Sequence, residues 1–205
     1  MKHFAELTPA AERIVDSAEA LLQHVGFNGF SYEDIARQVG IKKPSVHHHF
    51  PTKIELVLVV TQRYTHRFRE QLLHIEGVHP HAVERLKAYA QLFAATFAQD
   101  RRICICGMLG AESDGLPEEV RAQVRRFFRV NLDWLETVIA EGQASGELIE
   151  TPPAASLAAL WLSALEGAML VGRGWTEAHG PAAVAQALLQ SWTEPPTFKS
   201  RSSLH

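Results

Sequence analysis

The sequence predicts an all-α protein, with an N-terminal three-helix helix-turn-helix unit followed by a larger helical region. Two observations carry that class. Apolar residues recur at spacings of three and four almost throughout, and runs that alternate with period two are nearly absent. Gly and Pro punctuate the junctions between successive patterns. The 205 residues are 46% hydrophobic and 21% charged, a balance that suits a globular core better than a disordered chain or a coiled-coil rod.

Thr8-Pro9 opens the first helix, because a threonine hydroxyl caps free amides and proline is tolerated at the first helical position. Ile14, Ala18, Leu21, Leu22 and Val25 form its apolar stripe, and Gly26 ends it. Ser31 and Asp34 resemble a capping box for a short second helix, which buries Ile35, Ala36 and Val39 and stops at Gly40. A third segment runs from Pro44 to Phe50, where Pro51 closes it. Thr52 and Glu55 have capping-box spacing for a fourth helix reaching about Ile75. Further helices are expected at 82–99, 102–113, 117–144, 154–171 and 181–193, and the Pro-containing stretch 195–205 reads as a disordered tail.

Formal charge is -3 and the pI near 6.4, so indiscriminate polyanion binding over the whole surface is not expected. Charge is regional. From Lys42 to Glu70, six basic residues (Lys42, Lys43, Lys53, Arg63, Arg67, Arg69) face only Glu55 and Glu70, a local balance of +4, whereas the preceding stretch is acidic. Helical spacing of about 100° per residue puts Val46 and Phe50 on one side of the third helix. His48 stands opposite, flanked by Pro44, Ser45, His47 and His49, which makes a compact outward face of polar groups. A basic segment with such a face fits a reader of the DNA major groove, with phosphate contacts supplying affinity. Lys53, in the first turn of the next helix, is well placed for a phosphate, since free amides and the dipole also favour an anion there.

Residues 13–57 resemble the DNA-binding domain of the TetR/AcrR family of transcriptional regulators. The resemblance is carried by Ala18-Glu19-Ala20-Leu21, Gly26-Phe27, Asp34-Ile35-Ala36, Val39-Gly40-Ile41, His48-His49-Phe50 and Thr52-Lys53. It implies an all-α homodimer, usually a repressor, whose C-terminal helices bind a small effector that releases a palindromic double-stranded DNA operator. On this resemblance residues 1–55 form the DNA-binding domain and 56–194 the effector-binding and dimerisation domain. Lys43, Pro44 and Ser45 would reach base edges and nearby phosphates, and His47, His48 and His49 would line the DNA backbone. Lys53 would clamp a phosphate, and Ser31 and Tyr32 would touch the flanking backbone. Two positions depart from the family pattern. Lys42 stands where a Ser or Thr cap is usual, which adds charge at the cost of a cap, and His47 replaces a Tyr. Histidine titrates near pH ~6.5 in water, so operator affinity is expected to rise as pH falls.

Other readings compete at several positions. Consecutive residues on a helix diverge too far for His47, His48 and His49 to share one metal ion, and no metal or other cofactor is expected. Cys104 and Cys106 read as buried small hydrophobes. An alternative makes the protein a thiol-based electrophile or redox sensor acting through Cys106, with Arg101 and Arg102 at a helix start favouring the thiolate. Phe93, Phe97, Cys106, Met108, Phe127, Trp134 and Trp161 are candidate linings of an effector cavity. Small side chains at Ala164, Gly167 and Ala168, with Val184, Leu188 and Trp192 on the last helix, suggest a four-helix interface between two subunits. No phosphate-binding glycine loop, G-x-S-x-G elbow or H-E-x-x-H pair is present, so an enzyme is not expected. The N-terminus lacks the apolar core of a secretory signal, and the most apolar run, Ala154 to Leu165, is shorter than the ~20 residues that span a bilayer. A cytoplasmic protein without a membrane partner is expected. A helical interaction module that does not bind DNA is the remaining alternative.

Overall fold

A computed structural model describes residues 4–175 and 179–193. The expected tail at 195–205 lies outside the described residues. A 3-10 turn, Phe4–Glu6, precedes α1 (Pro9–Val25), α2 (Tyr32–Val39), α3 (Lys43–His49), α4 (Lys53–Val78), α5 (Ala82–Ala98), α6 (Ile105–Ala111), α7 (Glu118–Ala144), α8 (Ala154–Gly174) and α9 (Pro181–Thr193). No strand occurs among the described residues.

Local chemistry sets the boundaries largely as the sequence predicts. The Thr8 hydroxyl accepts from the Ala11 amide at 3.3 Å. At α2, the Asp34 carboxylate accepts from the Ser31 amide and hydroxyl, both at 2.8 Å, and these bonds hold its pKa below the usual carboxylate range. Gly40 takes the left-handed conformation that ends α2. Lys42 precedes α3 without a side-chain cap, while the Thr52 hydroxyl caps α4 by accepting from the Glu55 amide at 3.2 Å.

Several boundaries differ from expectation, among them the end of α4, which reaches Val78 rather than Ile75. Helix α6 starts at Ile105 rather than 102, because Asp100 and Arg101 occupy the left-handed region, φ 56° and 53°, and turn the chain before Cys104 caps the helix. Helix α8 extends to Gly174, and its 21 residues are long and apolar enough to cross a membrane by length and composition, contrary to the shorter run read from the sequence. One side of it is packed into this fold through Leu157, Trp161, Leu162, Leu165 and Met169.

Helix α4 is continuous from the helix-turn-helix into the C-terminal body, packing on α1, on α7 and on α5, while α8 packs on α7 and α5, and α9 on α5 and α8, so that these two helices close the far side of the body. The junction expected at residue 55 thus falls in the first turn of a single rod. At the centre, rings of Tyr64, Phe68, Tyr89, Phe93, Phe127 and Trp134 form a contiguous cluster with centroids 5.2–6.2 Å apart. Asn131 is wholly buried among them. Its carbonyl accepts from the Tyr89 hydroxyl and its amide donates to the Phe127 carbonyl, each at 2.8 Å, so the burial leaves these groups paired.

Candidate functional site

Helix α3 is anchored from inside and open on the outside. Val46 and Phe50 are 0% and 2% exposed, while Lys42, Lys43, Pro44, Ser45, His47 and His48 are exposed and His49 is half-buried. The polar face is therefore the one helical spacing predicts. Ser31 is also exposed, its hydroxyl held by Asp34. Tyr32 departs from expectation: it is buried, and its hydroxyl donates to the Phe50 carbonyl at 2.9 Å. Its ring meets the His47 imidazole edge-on at 4.6 Å between centroids. Tyr32 thereby ties α2 to the end of α3 and packs against His47.

Lys53 departs in the same way. Its ammonium donates to the Phe27 carbonyl at 2.5 Å and to the Phe30 carbonyl, and stands 4.8 Å and 4.0 Å from the centroids of the Phe27 and Phe30 rings. Burial lowers its pKa, partly opposed by Glu112 and Asp34. The cation closes the α1–α2 loop onto α4 and is not presented as a free phosphate clamp. Nor do Arg63 and Arg67 add to a DNA-facing patch. Arg63 pairs with Asp16 at 2.7 Å and Glu19 at 2.9 Å, and Arg67 pairs with Glu19 at 2.5 Å, so these cations neutralise the acidic side of α1. The +4 balance of the segment overstates the charge that faces outward, which on α3 and its cap is Lys42 and Lys43.

A second carboxylate joins this unit to the body. Glu112, just past α6, accepts from the amides of Phe27 (2.5 Å) and Asn28 (3.2 Å) and from the Asn28 side chain (3.2 Å). Gly26 makes this approach possible. It has φ +73°, and a Cβ there would lie 2.7 Å from a Glu112 oxygen. Beside it, Ile103 N–H donates to the Gln23 carbonyl at 3.2 Å, and Arg173 of α8 donates to the carbonyls of Gln23 (3.2 Å) and His24. The end of α1 is thus held by residues flanking α6 and by α8.

Of the expected effector linings, Phe93, Phe127 and Trp134 belong to the packed aromatic cluster, and Trp161 is fully buried against Trp192 at 5.4 Å. Phe97 and Met108 are partly buried against the core. None of these lines the clefts described here. A cleft of about 560 Å³ lies between α6, α7 and α8, walled by Gly107, Gly110, Phe128, Leu132, Ala159, Leu162, Ser163 and Glu166, and one of about 630 Å³ lies between α5 and α9. Cys104 and Cys106 are 1% and 0% exposed, and burial raises both thiols well above their ordinary pKa. Arg101 is turned to the Gly172 carbonyl, and α6 begins after both arginines. The thiolate stabilisation on which redox sensing through Cys106 depended is absent from this arrangement.

Among the expected interface residues, Ala168 and Trp192 are buried within the chain, while Ala164, Gly167, Val184 and Leu188 are half-exposed. The outward face of α8 also presents Leu160 (47% exposed), Leu170 (60%) and Val171 (55%), which sequence patterning had not singled out. In so apolar a helix, the letters alone do not tell which side faces out.

Residues 14–60 match the sequence model of the tetR family of bacterial regulatory proteins, and residues 82–188 match the tetracyclin repressor-like C-terminal domain. The chain belongs to the TetR family. A TetR-family transcriptional regulator from Agrobacterium tumefaciens superposes with a TM-score of 0.83 at 34% identity, covering 90% of this chain and 98% of that one. The HTH-type transcriptional repressor DhaR of Mycobacterium sp. (strain GP1) is 24% identical over 164 residues, 80% of this chain and 82% of that protein. AibR, solved in complex with isovaleryl coenzyme A and operator DNA, shares the fold with a TM-score of 0.70 at 21% identity, covering 91% of this chain and 99% of that one. As a member of this family the chain is a DNA-binding transcriptional regulator, which displaces the reading of an interaction module without DNA binding.

Proposed function

We propose that this TetR-family regulator is a cytoplasmic, non-enzymatic homodimeric repressor that reads a palindromic operator through α3 and leaves it when a small effector occupies the C-terminal body. The observation that carries the reading is the two-sided character of α3. Val46 and Phe50 are buried where α3 packs on α2, while Lys43, Pro44, Ser45, His47 and His48 stand outward as an exposed face. Ser31 and His49 flank that face, and Lys42 supplies charge where a neutral cap is absent.

Dimerisation is supported by the outward stripe of α8. Leu160, Leu170 and Val171, with Ala164, Gly167, Val184 and Leu188 beside them, make an apolar surface of small and aliphatic groups suited to a four-helix interface. A two-fold axis through it would present two α3 helices to successive major grooves, ~34–36 Å apart. In this reading residues 1–55 bind DNA and 56–194 bind effector and partner. The carboxylate clasp at Glu112 and the Arg173 contacts transmit a shift of α6 or α8 to the end of α1, and so to α3. An effector acts only to the extent that it binds the released and operator-bound arrangements unequally.

Selection of bound duplexes from a randomised pool with the purified chain tests this. An enriched inverted repeat is expected. Failure to enrich any sequence would overturn the reading, and an enriched single half-site would retain DNA recognition while removing the dimer.

A further inference from the structure

Glu166 lies near the middle of α8, where its carboxylate is sealed from solvent and neither oxygen has a hydrogen-bonding nitrogen or oxygen partner. Burial raises its pKa to about 7, opposed only by a weak bond with the Cys104 thiol. The groups around it are themselves acids. Tyr64, Tyr89, Cys104 and Cys106 all couple to it with the sign that disfavours charge, and among the described residues no lysine, arginine or histidine relieves it. A buried carboxyl without a counter-ion is a costly feature to keep for stability. Its position explains what it is available for. Glu166 and Gly107 both wall the cleft between α6, α7 and α8, and a Cβ at position 107 would lie 2.3 Å from Glu166 Oε2. Gly107 is helical with an ordinary φ, so its missing side chain serves this close approach rather than a turn.

The rest of the cleft is apolar. Phe128, Leu132, Leu162 and Ala159 wall it, with the Ser163 hydroxyl as the other polar side chain, and about 560 Å³ accommodates a molecule of ordinary drug size. We propose that this cleft is the effector site and that its ligand is an amphiphilic organic cation, a hydrocarbon or aromatic body bearing one ammonium group, for which Glu166 is the counter-ion. The proposal rests on the effector-released reading above and names the chemical class of effector. Rotation of the Glu166 side chain carries the carboxylate from beneath Gly107 into the cleft, where an ammonium supplies a charge partner for it. The body of the ligand covers Phe128, Leu132 and Leu162. Withdrawing the carboxylate from α6 also loosens the helix that leads directly into Glu112 and its clasp on Phe27 and Asn28.

The test uses a matched pair of probes, phenylbutylamine and phenylbutanol, titrated calorimetrically into the full chain at about pH 8, where Glu166 is largely ionised. The amine is expected to bind at least about tenfold more tightly than the alcohol, a difference of about 1.4 kcal/mol. Glu166→Gln, close in shape, should bring the two probes to equal affinity, and Leu132→Trp, which fills the cleft and leaves the carboxylate in place, should weaken both. Equal binding of amine and alcohol to the unaltered chain, or a preference for amine that survives Glu166→Gln, would overturn the proposal. Operator release is read separately on the selected duplex. Amine binding through Glu166 without release would leave the cation site standing and remove the effector-released reading, whereas intact operator binding with no amine preference would do the reverse.

Discussion

The N-terminal reader and the C-terminal body differ in the pairing of one polar group. In the reader the Tyr32 hydroxyl is taken by the Phe50 carbonyl, the Lys53 ammonium by two carbonyls and two rings, and Glu19 by Arg63 and Arg67. In the body Asn131 is equally well satisfied, yet Glu166 is sealed away with no charge partner among the described residues. A surface that must match a fixed DNA groove gains from groups whose geometry is over-determined. A sensing site gains from a group whose best partner is absent, because a ligand that supplies it binds one arrangement more tightly than the other.

The contrast is open to attack, starting where the effect is largest. Phe50→Ala removes a fully packed ring under α3 and should destabilise the reader by about 3–5 kcal/mol. Denaturant unfolding followed together with DNA binding checks this, and a loss under about 1 kcal/mol would mean that α3 is not held from beneath. Glu166→Gln should act with the opposite sign. A carboxyl whose folded pKa is raised to about 7 favours the folded state at low pH and loses that advantage as pH climbs from its ordinary value near 4.5 through 7. The variant should therefore match the parent near pH 4.5 and exceed it at pH 8 by up to roughly 3 kcal/mol, given 1.36 kcal/mol per pKa unit and a rise of about 2.5 units. A pH-independent difference would place the carboxylate in water.

Lys53→Ala comes next. If the ammonium is an internal tie, its loss should lower stability without DNA by about 1–3 kcal/mol, the range for hydrogen bonds to charged groups. Unchanged unfolding with weakened operator binding would return Lys53 to the role of phosphate clamp that its position in the sequence suggests. Glu112→Gln should cost least, about 1 kcal/mol, since one amide oxygen still accepts while the NH2 group loses the bonds made by the other carboxylate oxygen. Its informative effect is on coupling, with the effector concentration for operator release rising while DNA affinity in its absence stays close to that of the parent.

These cases also show what the linear sequence reveals. Caps and stripes are local, so Thr8, Ser31 with Asp34, Thr52, and the Val46–Phe50 spacing predict helix starts and the outward face of α3. Partners distant in sequence are not local. Nothing near Arg63 indicates that Asp16 and Glu19 neutralise it, and nothing near Lys53 indicates that Phe27 and Phe30 turn their carbonyls towards it. The late start of α6 rests on two non-glycine residues in the left-handed region, which carry no compositional signature. The cleft needs three helices to exist, and Glu166 is a single acidic letter in an apolar helix until Gly107 is seen above it. Aromatic content therefore points to the packed centre rather than to the cleft.

The central claim is that the outer face of α3 reads DNA while its inner face only supports it. The most direct test compares the parent with Lys43→Ala/His48→Ala on the selected operator, with thermal unfolding measured in parallel. Both side chains are exposed, so the account predicts operator affinity lower by at least about tenfold with the unfolding midpoint unchanged. Operator affinity equal to that of the parent would contradict it.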